Sequence, residues 1–148
     1  MKRRDFVAAL AALGATRAAA QNFQPPQDIA PLIASLAAGA PIERGGIEVV
    51  LPQIAENGNS VPMTVRIASP MTPEDRVVAI HILAERNPRP LLATFRLGPA
   101  AGRAEVSTRV RLAGTQDVTV LAELSGKRLR MQKTRVLVTS AACLDESL

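Results

Sequence analysis

The sequence has few aromatic residues and few of the side chains that usually carry chemistry. Its 148 residues include three Phe, no Tyr, no Trp, one His and one Cys. Single-strand nucleic-acid binders stack bases on aromatic side chains, whereas triads and metal centres use several His, Cys or acidic residues at fixed spacings. The composition therefore argues against a nucleic-acid partner, a metal or cofactor, and an enzyme that acts alone.

Long hydrophobic runs are also missing, since none reaches the roughly 18 residues that a membrane span needs. Hydrophobic residues make up 47% and charged residues 21% of the chain, as in a globular domain. The net charge of +5 is concentrated at the N-terminus, where Lys2, Arg3, Arg4 and Arg17 lie. We predict one soluble domain with no membrane span and without a generally basic surface.

The first twenty residues have the pattern of an export signal. Arg3 and Arg4 precede Phe6, a weakly apolar run covers residues 7–15, and small residues occupy positions 18–20. This pattern is typical of a twin-arginine-type signal peptide that is cut before Gln21. We therefore expect a periplasmic protein with three parts: a signal peptide (1–20), a folded domain (21–139) and a mobile C-terminal tail (140–148).

The periodicity of the folded part changes from helical to alternating. Asp28 can cap a short helix that continues to Ala38 and presents an apolar stripe. Beyond it, apolar and polar residues alternate in seven short segments separated by turn signals: residues 47–51, 61–67, 77–83, 91–97, 106–112, 118–124 and 131–139. The predicted fold class is all-β, an immunoglobulin-like sandwich of about seven strands preceded by a short helix and followed by a flexible tail.

Three polar residues of the sandwich have both a structural and a functional interpretation. His81 lies inside the apolar strand 77–83, which favours a packed histidine over a catalytic one. Arg109 and Arg111 share the outward face of one strand. That face is either simply solvated, the favoured interpretation, or a site for an anion or an acidic partner.

Cys143 is the only cysteine, so it cannot form a disulfide within one exported chain. It lies beyond the last predicted strand, in the tail. Its position leaves open a thiol that pairs between two chains, a free thiol that carries chemistry, and an incidental residue.

Several segments in order resemble the SoxY family, the sulfur-carrying subunit of the bacterial thiosulfate-oxidising Sox system. The resemblance rests on PQIAENG at residues 52–58, VP at 61–62, SPM at 69–71, NP at 87–88 and VSTRVRLAGTQ at 106–116. It implies an immunoglobulin-like sandwich that forms a heterodimer with a SoxZ-like subunit. It also implies a mobile arm whose cysteine, here Cys143, carries the substrate covalently. A c-type cytochrome, a hydrolase and a sulfane dehydrogenase would act on that cysteine in turn, and the carrier itself would not be an enzyme.

The tail departs from the Gly-Gly-Cys-Gly-Gly ending of the family. Ala141 and Ala142 precede the cysteine, Leu144 and Asp145 follow it, and residues 146–148 extend the chain. Leu144 adds bulk beside the thiol, and the acidic residues disfavour its thiolate form. Two hypotheses follow: a carrier that uses Cys143, or a binding or scaffold module that has lost covalent carriage.

Overall fold

A computed structural model of the chain describes residues 25–142. The predicted signal peptide, Cys143 and the flanking residues Leu144 and Asp145 lie outside the described residues. The described part contains one helix and nine strands: α1 (Ala30–Ala37), β1 (Ile42–Arg44), β2 (Ile47–Val50), β3 (Ile54–Ala55), β4 (Val61–Ile67), β5 (Val77–Ala84), β6 (Leu91–Arg96), β7 (Ala104–Val110), β8 (Gln116–Leu124) and β9 (Arg128–Val138).

The strands form two sheets that pack face to face. The larger sheet has the order β1-β9-β8-β5-β6, with β3 also paired to β9, and the smaller one has the order β2-β4-β7. β1 and β3 run parallel to β9, whereas β8 pairs antiparallel with both β9 and β5. This all-β sandwich with an N-terminal helix confirms the predicted fold class.

Alternation along the strands builds the main core. Val61, Met63, Val65 and Ile67 of β4 point inward and are nearly inaccessible to solvent, while Pro62 and Arg66 point outward. Inward side chains of β5 and β8 meet them from the larger sheet. β5 is buried along almost its whole length because the small sheet packs on one face, α1 packs on the other, and β8 and β6 flank its two edges. Its nearly continuous apolar sequence correctly predicted a central strand.

Helix α1 packs on the outer face of the larger sheet. The N-cap is Ile29 and not the predicted Asp28, and Ile29 makes no side-chain capping hydrogen bond. The Asp28 carboxylate still accepts a hydrogen bond from the Ala30 N–H at 2.9 Å. The helix is followed by Ala38, whose φ of 48° is left-handed. The apolar stripe of the helix contacts a second cluster: Ile29, Leu32, Ile33 and Leu36 against Leu83, Leu121 and Leu129. Within residues 25–142, this helix is too short to cross a membrane and none longer is present.

Candidate functional site

The candidate site lies where the chain leaves its last strand, just before Cys143. Val136 of β9 is fully buried in the main core, and Val138 packs against the same core. The Thr115 hydroxyl also accepts a hydrogen bond from the Val138 N–H at 2.9 Å. The strand that leads to the cysteine is therefore anchored by Val136 and Val138.

Backbone hydrogen bonds continue past the end of β9. The Thr139 N–H donates to the Ala55 carbonyl (3.0 Å), and the Ser140 carbonyl accepts from the Gly58 N–H (2.7 Å). The Gly58 carbonyl accepts from Leu112 (2.8 Å), and the Leu112 carbonyl accepts from the Ala142 N–H (3.0 Å). We call Gly58, Leu112 and residues 139–142 the root of the C-terminal segment.

The described part of the tail is more ordered than the sequence suggests. The sequence predicts a mobile tail over residues 140–148, yet Ala142 is only 8% exposed and is hydrogen-bonded to Leu112. Ala141 itself is exposed. The body of the protein therefore holds the chain as far as the residue directly before Cys143.

Gly58 makes the close approach of three segments possible. A Cβ atom at this position would lie 2.4 Å from the Leu112 carbonyl oxygen and 2.9 Å from the Ala142 nitrogen. It would also lie 3.0 Å from a methyl group of Val138. Two of these neighbours are backbone atoms, so only a residue without a side chain fits there.

Two buried amides, Asn87 and Gln116, hold the loop that receives Ala142. The Asn87 side chain donates to the Arg111 carbonyl (2.8 Å) and accepts from the Ala113 N–H (3.0 Å). The Gln116 amide donates to the same Asn87 oxygen at 3.0 Å and accepts from the Arg86 N–H at 2.8 Å. These bonds fix the backbone on both sides of Leu112.

Three segments that are far apart in sequence meet at this root. Residues 52–58, 87–88 and 106–116 carried the family resemblance, and they supply Gly58, Asn87, Leu112 and Gln116. Analysis of single positions did not identify these four as site residues. The only indication of these four residues in the sequence was that they lie in segments that resemble the family.

His81 is a structural residue of the larger sheet. Its side chain is 4% exposed, with Nε2 2.7 Å from a Glu123 carboxylate oxygen and Nδ1 2.9 Å from the Thr94 hydroxyl. An ionised carboxylate only accepts hydrogen bonds, so the Nε2–H donates to Glu123. With both ring nitrogens bonded within the sheet, His81 is the packed histidine that the sequence favours.

The two arginines lie next to the root. Arg109 ends near Ser60, where its guanidinium donates to the Ser60 hydroxyl at 3.2 Å. Arg111 directly precedes Leu112, and its side chain is exposed. Within residues 25–142, neither guanidinium pairs with a carboxylate, and no group of three or more His, Cys, Asp and Glu could hold a metal ion.

The comparisons with known proteins point to one family. The family model "Sulfur oxidation protein SoxY" matches residues 33–143. The solved structure of the sulfur carrier protein SoxY from Chlorobium limicola f thiosulfatophilum is 33% identical to this chain, with a TM-score of 0.62. The match covers 74% of this chain and 94% of that one. A search of curated proteins finds no match to this sequence.

Other solved structures share only the fold. A superoxide reductase (neelaredoxin) from Ignicoccus hospitalis is 12% identical, with a TM-score of 0.57, over 64% of this chain and 80% of that one. The superoxide reductase from Nanoarchaeum equitans is 9% identical, with a TM-score of 0.52, over 62% and 91%. At these identities the likeness extends to the sandwich and no further.

Proposed function

The chain belongs to the SoxY family of sulfur oxidation proteins, and on that premise we propose that it carries sulfur intermediates covalently on Cys143. Family and fold support a sulfur-carrier protein of the Sox system. One observation supports Cys143 in particular: the family match extends to residue 143, the residue directly after the hydrogen-bonded Ala142. The only thiol of the sequence thus follows the point where the body holds the chain.

The proposed loading step is an oxidative coupling of the thiol with thiosulfate. The Cys143 sulfur forms a bond to the outer sulfur of thiosulfate, the thiol proton leaves, and two electrons pass to a c-type cytochrome. A hydrolase then adds water and releases sulfate, which leaves one extra sulfur atom on the cysteine for a sulfane dehydrogenase. In this scheme the chain presents the substrate, and the catalytic groups belong to the visiting enzymes.

The proposal includes the compartment and a permanent partner. The arginine pair at positions 3 and 4 supports export by the twin-arginine route to the periplasm. Because that route carries folded proteins, a SoxZ-like subunit without its own signal could be exported together with this chain. The rigid root supports presentation to several enzymes, since it fixes where the thiol leaves the sandwich.

An intact-mass experiment tests covalent carriage. The chain, co-expressed with a SoxZ-like subunit, is incubated with thiosulfate and oxidised c-type cytochrome, and its mass is recorded. We expect a gain equal to one thiosulfate group that reducing agent removes and that Cys143→Ser does not show. A wild-type protein that never gains this mass, although the cytochrome is active with another SoxY protein, would overturn the proposal.

The residues around the thiol support a second candidate, a scaffold module without covalent carriage. Leu144 stands where the family has glycine, and the body holds Ala142 through Leu112. Both features reduce the reach of the thiol into a narrow active site. Replacing the gene by its Cys143→Ser version distinguishes the two candidates: a carrier loses thiosulfate oxidation, and a scaffold keeps it.

A further inference from the structure

Asn57 and Gly58 form a pair that can react within its own backbone. The backbone nitrogen of a glycine can attack the side-chain amide carbon of a preceding asparagine, because no glycine side chain hinders the approach. Asn57 is exposed and Gly58 lies in a turn, so this pair is a candidate for the reaction. Asn87 is not, since the following Pro88 has no backbone N–H to lose.

The side chain of Asn57 is already arranged for the attack. Its amide oxygen accepts a 2.9 Å hydrogen bond from the Asn59 N–H. When a nitrogen attacks the amide carbon, negative charge develops on that same oxygen, and a positioned N–H donor stabilises such charge. The electrophilic half of the reaction is therefore in place within residues 57–59.

The root withholds the other half, the nucleophile. The Gly58 N–H donates to the Ser140 carbonyl at 2.7 Å, and the Gly58 carbonyl accepts from the Leu112 N–H at 2.8 Å. The Gly58 nitrogen must lose its proton before it can attack, so its hydrogen bond to Ser140 has to break first. The Leu112 carbonyl and the Ala142 nitrogen also close in on Gly58 and limit its rotation. The reaction therefore requires a local opening of the root.

We propose that Asn57–Gly58 is a modification site that the root keeps closed and that converts to isoaspartate or aspartate when the root opens. The Gly58 nitrogen gives its proton to hydroxide and forms a bond to the Asn57 amide carbon. The bond from that carbon to the amide nitrogen breaks, and ammonia leaves with a proton from water. Water then opens the cyclic imide. No electrons are transferred, and the inference does not depend on covalent sulfur carriage.

Conversion to isoaspartate releases the root. In isoaspartate the main chain runs through the former side-chain carbons of Asn57 and is one atom longer, whereas Gly58 lies against backbone atoms of Leu112 and Ala142. The lengthened segment therefore cannot restore both hydrogen bonds of Gly58. Because the reverse reaction would need ammonia, the release is one-way.

Peptide mapping by mass spectrometry tests the protection. The full chain is incubated in mildly alkaline buffer with and without urea, and conversion of the peptide that contains Asn57 is followed over time. We expect conversion to be slower in the native chain than in the unfolded chain by about tenfold or more, because only the open root reacts. Asn57→Gln should abolish it, since the longer side chain does not form the five-membered imide. Equal rates in the native and unfolded chains would overturn the proposal.

Substitutions at Ala142 test the link to the root. Ala142→Pro removes the N–H that donates to the Leu112 carbonyl, so native conversion at Asn57 should become about threefold faster or more. Ala142→Ser keeps that N–H and should convert at the wild-type rate. If the Leu112 amide exchanged faster in Ala142→Pro while Asn57 converted no faster, the proposal would be wrong.

The released root is measured on the product. Conversion replaces a neutral amide by a carboxylate, so ion exchange separates the isoaspartate form from the unmodified chain. Hydrogen exchange at the Leu112 and Ala142 amides should be faster in that form. Unchanged exchange there would contradict the release. No sulfur compound is needed, so these outcomes are separate from the test of carriage.

Discussion

Gly58 is the residue at which the smallest change should disturb the root. In Gly58→Ala the new methyl group would meet two backbone atoms at less than 3.0 Å. We expect the free energy of unfolding to fall by about 1–3 kcal/mol, as for other overpacked sites. Hydrogen exchange at the Ala142 amide should become faster because its bond to Leu112 would be displaced. Urea unfolding and amide exchange measure the two effects.

Gly98 provides the matched control. A Cβ atom there meets no other atom within 4 Å, and its backbone does not require glycine. Gly98→Ala should change the free energy of unfolding by less than about 0.5 kcal/mol. If both variants were equally stable, the close packing at Gly58 would not be what holds the root together.

At the residue scale the sequence predicts Cys143 as the functional thiol, which stays a prediction, but it does not identify the residues that hold the chain just before it. Cys143 stood out because it is unique and lies beyond the last alternating segment. Gly58, Asn87 and Leu112 could not be found in the same way, since their roles depend on contacts across 24 or more residues. The residues around Gly58 in the sequence do not indicate that the Leu112 carbonyl lies close to it.

Among the elements, helix α1 offers a test of how the outer face of the larger sheet is covered. Ile33 packs on the cluster around Leu83 and Leu121. In Ile33→Asp a carboxylate would enter that apolar contact without a partner, so we expect a loss of about 1–3 kcal/mol in the free energy of unfolding. Ser35→Asp, on the exposed side of the same helix, should cost less than about 0.5 kcal/mol. Equal losses in urea unfolding would mean that the helix does not cover the sheet.

The strands could be predicted where alternation lasts long enough to be recognised. All seven predicted segments became strands, with ends that differ by three residues or fewer. The two that were missed, β1 and β3, have three and two residues and therefore show no period of their own. Both exist because β9 offers them a free edge, which is a property of the assembled sheet.

For the whole molecule, the accessibility of the thiol is the property that a carrier needs. The two sheets of the sandwich enclose a hydrophobic core. In the sequence, Cys143 comes directly after the root. We expect iodoacetamide to alkylate Cys143 in the native protein within about tenfold of the rate in urea. A thiol enclosed in the core would react only after unfolding, slower by about a thousandfold or more. A rate that low, measured by mass spectrometry, would contradict the proposed presentation of the cysteine.

The hydrogen-bonded root also has a mechanical consequence. A force applied to the chain beyond Ala142 passes through the Ala142–Leu112 hydrogen bond to Leu112 and then to Gly58. The force is therefore shared by β7, β9 and the segment after β3. It does not act on the hydrogen bonds of β9 alone. A pull on the end of the described chain therefore moves the folded domain as a whole.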